Sequence, residues 1–486
     1  MLRPKKQSNM TQVPFKRIQH KLARSGVAIE RLNSNSLSIS SINDAGLKAD
    51  LLLPEGFAIE EKAITQLMDF ARVAHPHGGE VKCACATPDF HTGSSIPVGS
   101  VIVTSHDLVV PQAIGTDINC GMRLHKLGLD YEQFMAQKAK WTALVRGDLL
   151  EGTRNIPTSP QAMSALFEAG LGDFWAQVRQ QAPVGLFAGA DFAQLQRELA
   201  GLHESSFARG RAAYGPEALQ DRSRQVLRDP GLGSLGGGNH FVEIQVVTEL
   251  VDRQACFTHG LAVGQVVMMI HTGSRDVGFY VGRRWMDKAK ALWPAGLKHP
   301  QSKIFALFGE MADEYLLAMH SAAHYADANR ALIAEMVRQR TRQVFGAGIE
   351  APLIVDVPHN IVLREEVGNV HRKGATPAYA GQPLLIPGSM GHDSYLLTGL
   401  GNERWMRSAS HGAGRSMSRG DVIVRAKRDK AFLGLQGVEC ITTKEERMIE
   451  EAPGAYKEIG QVIRSQVEEQ TVSVIARFSP VLTFKA

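Results

Sequence analysis

The stretch LVVPQAIGTDINCG (residues 108–121) decides how this chain is read. An apolar run rich in Val and Ile ends on a glycine, and a carboxylate and a thiol follow within six residues. That is the signature of a buried strand opening into a turn that carries metal-type side chains. Side chains just past strand ends, on loops, are where a scaffold gathers ligands. The same pattern recurs. The run Val266–Ile270 leads into His271-Thr272-Gly273-Ser274-Arg275, and Leu353–Val357 leads into Pro358-His359-Asn360. Gly236-Gly237-Gly238-Asn239-His240 opens the run Phe241–Val247, and Gly99–Thr104 reads as a further buried strand.

Between the strand runs lie helical stretches. Residues 58–75 place apolar side chains at helical spacing. Residues 131–228 are rich in Ala, Gln, Leu and Arg, and residues 302–345 read as a long helical stretch interrupted once or twice. This irregular alternation predicts an α+β fold rather than a doubly wound sheet. The expectation is one large catalytic domain over residues 30–486, with mixed sheets, flanking helices and a mostly helical insertion at 131–228.

Composition sets bounds. The 486 residues are 44% hydrophobic and 21% charged, ordinary for a globular chain that buries a sizeable core. No apolar run reaches the roughly 18 residues that span a bilayer, and no secretory signal is read, so no membrane partner is expected. Net charge is a mild +5. Residues 1–29 hold Arg3, Lys5, Lys6, Lys16, Arg17, Lys21 and Arg24 without one acidic residue. They read as a flexible basic arm, either simply solvated or lying near a phosphate backbone. Five cysteines, an odd and sparse count, argue against a disulfide framework and for a reducing cytoplasm.

Two more motifs complete the chemistry: Pro88-Asp89-Phe90-His91-Thr92-Gly93 and Ser410-His411-Gly412-Ala413-Gly414-Arg415. Taken together, Asp, Cys and several His supply hard, soft and borderline donors for a divalent transition metal, and one thiolate can bridge two ions. A glycine backbone can approach a phosphate or base closely, which suits 236–238 and 412–414. Neither matches the P-loop or the dinucleotide fingerprint. Arg275, Arg372, Lys373, Arg415 and Arg419 recur beside these motifs, and an arginine fork suits phosphate. Each feature also has a plain reading: a structural histidine, a tight turn, a solvated charge. Lys485, next to last, reads by itself as part of a frayed end.

The ordered set of motifs resembles the RtcB family of RNA ligases. The likeness rests on P-D-x-H-x-G, D-I-N-C-G, G-G-G-N-H-F-x-E, H-T-G-S-R, H-N, H-R-K-G-A-T (371–376), P-G-S-M-G (387–391), H-G-A-G-R-x-M-S-R (411–419) and E-A-P-G-A-Y-K (451–457), spread over residues 80–486. The resemblance implies a GTP-dependent ligase using manganese, with two ions. It joins RNA bearing a 3′-phosphate or 2′,3′-cyclic phosphate to a 5′-hydroxyl end. It implies metal ligands at Asp117, Cys120, His240, His271 and His359, and a guanylate-accepting histidine at His411. Nucleotide contacts carry over to Asn239, Glu243, His359, Asn360, Ser389, Ser394, His411, Gly412, Ala413, Gly414, Tyr456 and Lys485. Arg275 and Arg419 become candidates for RNA phosphate. By softness alone, Cys and His ligands suit zinc as readily as manganese.

The chain departs from the family pattern at Thr116, Asp276, Asp327 and residues 94–96, which marks a divergent branch. Two other functions compete: a metal-dependent RNA-end phosphodiesterase or phosphatase, which has no use for His411, and a catalytically silent RNA-binding paralogue. The sequence leaves open which RNA is joined, whether an activating protein partner is needed, and what residues 131–228 do.

Overall fold

A single residue links the edge strands of two large sheets. A computed structural model describes residues 15–182 and 184–486. In the first sheet the strands run in the spatial order Val27–Arg31, Ser36–Ser41, Lys48–Leu52, Gly78–His91, Val98–Thr104, Gly368–Lys373, Asn360–Glu365. In the second the order is Leu353–Pro358, Gly121–Asp130, Gln265–Thr272, Phe241–Leu250, Val472–Lys485, Ser394–Gly399, Pro383–Ile386. Strand Leu353–Pro358 edges the second sheet and Asn360–Glu365 edges the first. The residue between them is His359. Pairing within both paths is antiparallel except where Lys48–Leu52 meets Gly78–His91. The fold is a mixture of helices and mixed sheets, as the α+β reading expects.

Helices cover the sheets. Tyr131–Leu150 begins with a capping box between Asp130 and Gln133, and Pro160–Ala169 begins at Ser159 with proline in its first turn. Of the stretch 302–345, read as helical with one or two interruptions, Leu307–Phe308 is a short strand and Glu310–Phe345 is one unbroken helix of 36 residues. It contains neither Gly nor Pro, so nothing in the backbone breaks it. It is buried from Ala322 to Arg338, so its polar residues in that span must find partners inside the protein. One hydrophobic core joins side chains from Ile18 to Phe484.

Three further expectations change. Of the run 108–114, only Leu108–Val109 is strand, and Pro111 starts a short helix over Pro111–Ile114. Proline has no N–H for a ladder but suits a helix start. The stretch 131–228 is helical to Arg197 and then turns through short 3-10 segments. The basic segment is not a free arm from Phe15 onward. Helix Phe15–Arg24 buries Ile18 and Leu22 on one face, and strand Val27–Arg31 joins the first sheet. Residues 1–14 lie outside the described residues. No helix among the described residues is long and apolar enough to cross a membrane.

Candidate metal centre and adjoining cleft

Four segments bring five donors together where the sheets meet. Asp117 and Cys120 sit on the turn before strand Gly121–Asp130, and Asn119 between them adopts a left-handed φ of 54°. His240 immediately precedes strand Phe241–Leu250, and His271 lies near the end of strand Gln265–Thr272. His359 links the sheets, and its N–H donates to the Cys120 carbonyl at 2.8 Å. Cys120 Sγ lies 3.3 Å from both His240 Nε2 and His271 Nε2. His240 Nε2 is 3.0 Å from Asp117 Oδ2, and His271 Nε2 is 3.2 Å from His359 Nε2. Two glycines make room. A Cβ on Gly273 would stand 2.2 Å from Asp117 Oδ1, and one on Gly121 would stand 2.6 Å from the Val357 carbonyl.

The donor set fits a pair of metal ions. Cys120, His271 and His359 form one group and Asp117, Cys120 and His240 another, each with ligand atoms within 4.8 Å of one another. They share the thiol. His240 Nδ1 faces the Leu235 carbonyl at 3.1 Å, which turns Nε2 toward the cluster. Without a cation the arrangement is costly. Burial and the charge of Asp117 push the Cys120 thiol well above its usual range. Burial holds His271 and His359 well below theirs, and His359 Nδ1 is buried with no hydrogen-bond partner among the described residues. A divalent ion would offset that cost by favouring the thiolate and neutral imidazoles.

A buried guanidinium braces the ligand segments. Arg330 Nη1 donates to the carbonyls of Asn119 (2.7 Å) and Thr272 (3.1 Å), next to Cys120 and His271. Its other nitrogens pair with Asp356 and Asp327 at 2.7–3.1 Å. Asp327 is thus a charge partner. It also accepts from Asn119 Nδ2 at 2.8 Å.

A cleft of about 810 Å³ opens beside the cluster. His411 lines it, and its ring centroid is 4.8 Å from that of His359. His411 Nδ1 is 2.6 Å from Asp89 Oδ2, which also accepts the His411 backbone N–H at 3.2 Å. Thr87 Oγ1 donates to the other carboxylate oxygen at 2.5 Å. Burial alone would raise the Asp89 carboxyl. The adjoining His411 and these hydrogen bonds outweigh it and hold the group below its ordinary value. An ionised Asp89 accepts Nδ1–H and leaves the Nε2 lone pair free. Gly414, at φ 73°, packs so closely that a Cβ would meet the Asp89 carbonyl at 2.2 Å.

The structure gathers most of the expected contacts on this cleft: Asn239, Glu243, Ser389, Gly412, Ala413, Gly414, Arg419, Tyr456 and Lys485 all line it. Burial pushes Glu243 up to about 7, against hydrogen bonds from Thr483 and Gln245. Lys485 is 3% exposed, held in strand Val472–Lys485, and donates to the His240 carbonyl at 3.2 Å. Sheet pairing, invisible in the local sequence, removes the frayed-end reading.

Other residues stand elsewhere. Ser394 lies behind the wall, where its hydroxyl takes the Gly388 N–H at 3.1 Å and the Gln245 amide at 2.8 Å. Asn360 is buried and spans two loops, donating to the Asp117 carbonyl and accepting from the Gly374 N–H. Arg275 sits beside Gly236, outside the cleft wall. Arg372 is buried against Glu365, and Lys373 donates to the Ile114 carbonyl, so both are structural. Sequence reasoning missed Asp89 and Glu451 as site residues, although both lie in quoted motifs. Glu451 accepts from Arg415, Arg419 and Tyr456.

Fold and site together define an α+β protein with a bridged metal-type cluster beside a glycine-lined cleft. The family described as tRNA-splicing ligase RtcB matches residues 66–486, and the chain belongs to that family. The chain is similar to a tRNA-splicing ligase RtcB of Thermococcus kodakarensis, 33% identical over 446 residues, covering 83% of this chain and 87% of the relative. It is similar to an RNA-splicing ligase RtcB of Mycobacterium tuberculosis, 32% identical with 83% and 96% covered. A tRNA-splicing ligase RtcB of Aeropyrum pernix is 31% identical with 89% and 94% covered.

Proposed function

We propose that this chain is a cytoplasmic RNA ligase that uses GTP and manganese, working in RNA splicing or repair. It joins a 3′-phosphate or 2′,3′-cyclic-phosphate end to a 5′-hydroxyl end through a guanylylated His411. The observation that carries the reading is the placement of His411. Its Nδ1 is engaged by Asp89 at 2.6 Å, and its ring stands 4.8 Å from His359, a member of the metal-type cluster. A metallo-hydrolase has no need of a nucleophile so prepared.

In this reading Asp117, Cys120, His240, His271 and His359 hold two ions. Bound there, such ions would neutralise phosphate charge and align attacker and leaving group. Nε2 of His411 attacks the α-phosphorus of GTP; the P–N bond forms and pyrophosphate departs with the bridging oxygen. Asp89 stabilises the positive charge that develops on the imidazole. Asn239, Glu243, Ser389, Tyr456, Lys485 and the 412–414 backbone seat the nucleotide. The RNA 3′-phosphate then takes the guanylate from Nε2, a cyclic phosphate having first been opened by water. The 5′-hydroxyl attacks the activated phosphate and GMP leaves. Arg275 and Arg419 hold RNA phosphate.

Incubation with α-labelled GTP and Mn²⁺ tests this. An acid-labile protein–guanylate adduct is expected, and it is lost in His411→Ala. Absence of the adduct, or its persistence in the variant, overturns the mechanism.

A further inference from the structure

Three successive glycines each face an arginine. A Cβ on Gly236 would stand 1.8 Å from Arg275 Nη1, one on Gly237 would stand 3.6 Å from Arg447 Nη2, and one on Gly238 would stand 3.5 Å from Arg419 Nη2. Each glycine of the loop 236–238 thus has a guanidinium group beside it, and the loop leads directly to Asn239 and His240. A side chain at Gly236, whose φ is 79°, would displace the Arg275 guanidinium from its place beside the loop.

Each arginine is pinned by one nitrogen and turns another over the loop. Arg275 Nε donates to Ser234 Oγ at 3.1 Å. Arg419 Nε donates to Glu451 Oε1 at 3.0 Å. Arg447 Nη1 donates to Glu450 Oε2 at 3.1 Å. The side chains of Arg419 and Arg447 remain 46% and 35% exposed, open to a ligand arriving from solvent. A guanidinium held in place loses less freedom on meeting an anion, and its remaining N–H groups suit phosphate oxygens.

We infer that Arg447, which none of the quoted motifs contains, is a further contact for the phosphate backbone of single-stranded RNA, beside the Arg275 and Arg419 contacts proposed above. Arg447 belongs to the short helix Glu445–Glu450, far in sequence from the glycine loop. An RNA strand held at this loop would have its end led toward His240, one of the residues that would hold the metal. This rests on the ligase reading above.

The test is binding of a short single-stranded RNA ending in a 3′-phosphate to the full chain, followed by fluorescence anisotropy across a salt series. Each phosphate neutralised by a side chain contributes about 0.7 to the slope of log K against log salt for a single strand. Arg447→Ala is expected to weaken binding about five- to tenfold at moderate salt and to flatten the slope by about 0.7. Arg447→Lys keeps the charge and is expected to keep the slope. Thermal unfolding at the wild-type temperature shows that the variant is folded. Wild-type binding by Arg447→Ala at every salt concentration overturns the role of Arg447 while leaving the ligase reading intact. Weaker binding with an unchanged slope also overturns it, because lost packing is not lost phosphate contact. If the wild-type chain itself fails to bind the RNA, it is the ligase reading that falls.

Discussion

His411 Nδ1 lies 2.6 Å from Asp89 Oδ2, across a separation of 322 residues. The contact ties the end of strand Gly78–His91 to the loop after strand Ser408–Ser410. It fixes which imidazole nitrogen carries the proton, and so which one can act as nucleophile. Asp89→Ala is expected to slow guanylate-adduct formation by about 100-fold or more while leaving the histidine in place. Quench-flow measurement of the adduct checks this. An unchanged rate removes Asp89 from the mechanism.

Glu243 gives a pH signature. Burial raises its carboxyl to about 7 in the folded chain from an ordinary 4.5. Folding therefore disfavours the ionised form. The folded state keeps a proton that the unfolded state has lost, and stability falls as pH rises from about 4.5 to about 7. Glu243→Gln carries no such penalty. It is expected to gain on the wild type over that window, levelling off above pH 7 at about 3 kcal/mol, from 1.36 kcal/mol per unit. Denaturation of both proteins at several pH values measures the gap. A gap that stays flat with pH contradicts the assignment.

The sequence displayed the metal-type donors because each sits beside turn residues at or near a strand end, which is a local pattern. Strands ending near His271 and His359 were readable for the same reason. What stayed hidden depends on distance along the chain. The Asp89–His411 pair has no period to announce it. Lys485 looked expendable until strand Val472–Lys485 paired within the second sheet. Pro111 was read as strand because Val109, Val110 and Ile114 surround it, although proline carries no N–H for a ladder. Ser394 is a nucleotide contact only by the resemblance, and in the fold its hydroxyl accepts from the Gly388 N–H and the Gln245 amide.

Cys120 is common to both donor groups, so its loss should empty both. Wild-type protein is expected to bind two Mn²⁺ per chain and to unfold at a lower temperature after dialysis against a chelator. Cys120→Ala is expected to bind neither ion tightly and to show no response to the chelator. Metal content by elemental analysis and a melting curve measure both effects. Retention of both ions by Cys120→Ala would exclude the shared-thiolate arrangement.

Gly273 tests how tightly the cluster is packed. Its Cβ would stand 2.2 Å from Asp117 Oδ1, so Gly273→Ala must push the carboxylate away from His240. A tenfold or greater loss of metal affinity is expected, since misplacing a ligand commonly costs that much. Isothermal titration of the folded variant reads it. Unaltered affinity would mean that Asp117 moves freely and is not a ligand.

Arg330 couples the cluster to the long helix. It compensates Asp327 and Asp356 while holding the Asn119 and Thr272 carbonyls. Arg330→Met takes the cation from buried Asp327 and leaves Asp356 with Arg123 alone, at a cost of about 3–5 kcal/mol. Burial already raises the Asp327 carboxyl, and nearby Asp356 adds to the effect against the pull of Arg330. Removing that second charge should therefore help once the arginine is gone. Asp327→Asn is expected to destabilise the wild type yet recover part of the loss in the Arg330→Met background. Denaturant unfolding of the two single variants and the double variant closes the cycle. Simple additivity would show that the two side chains do not act as one unit.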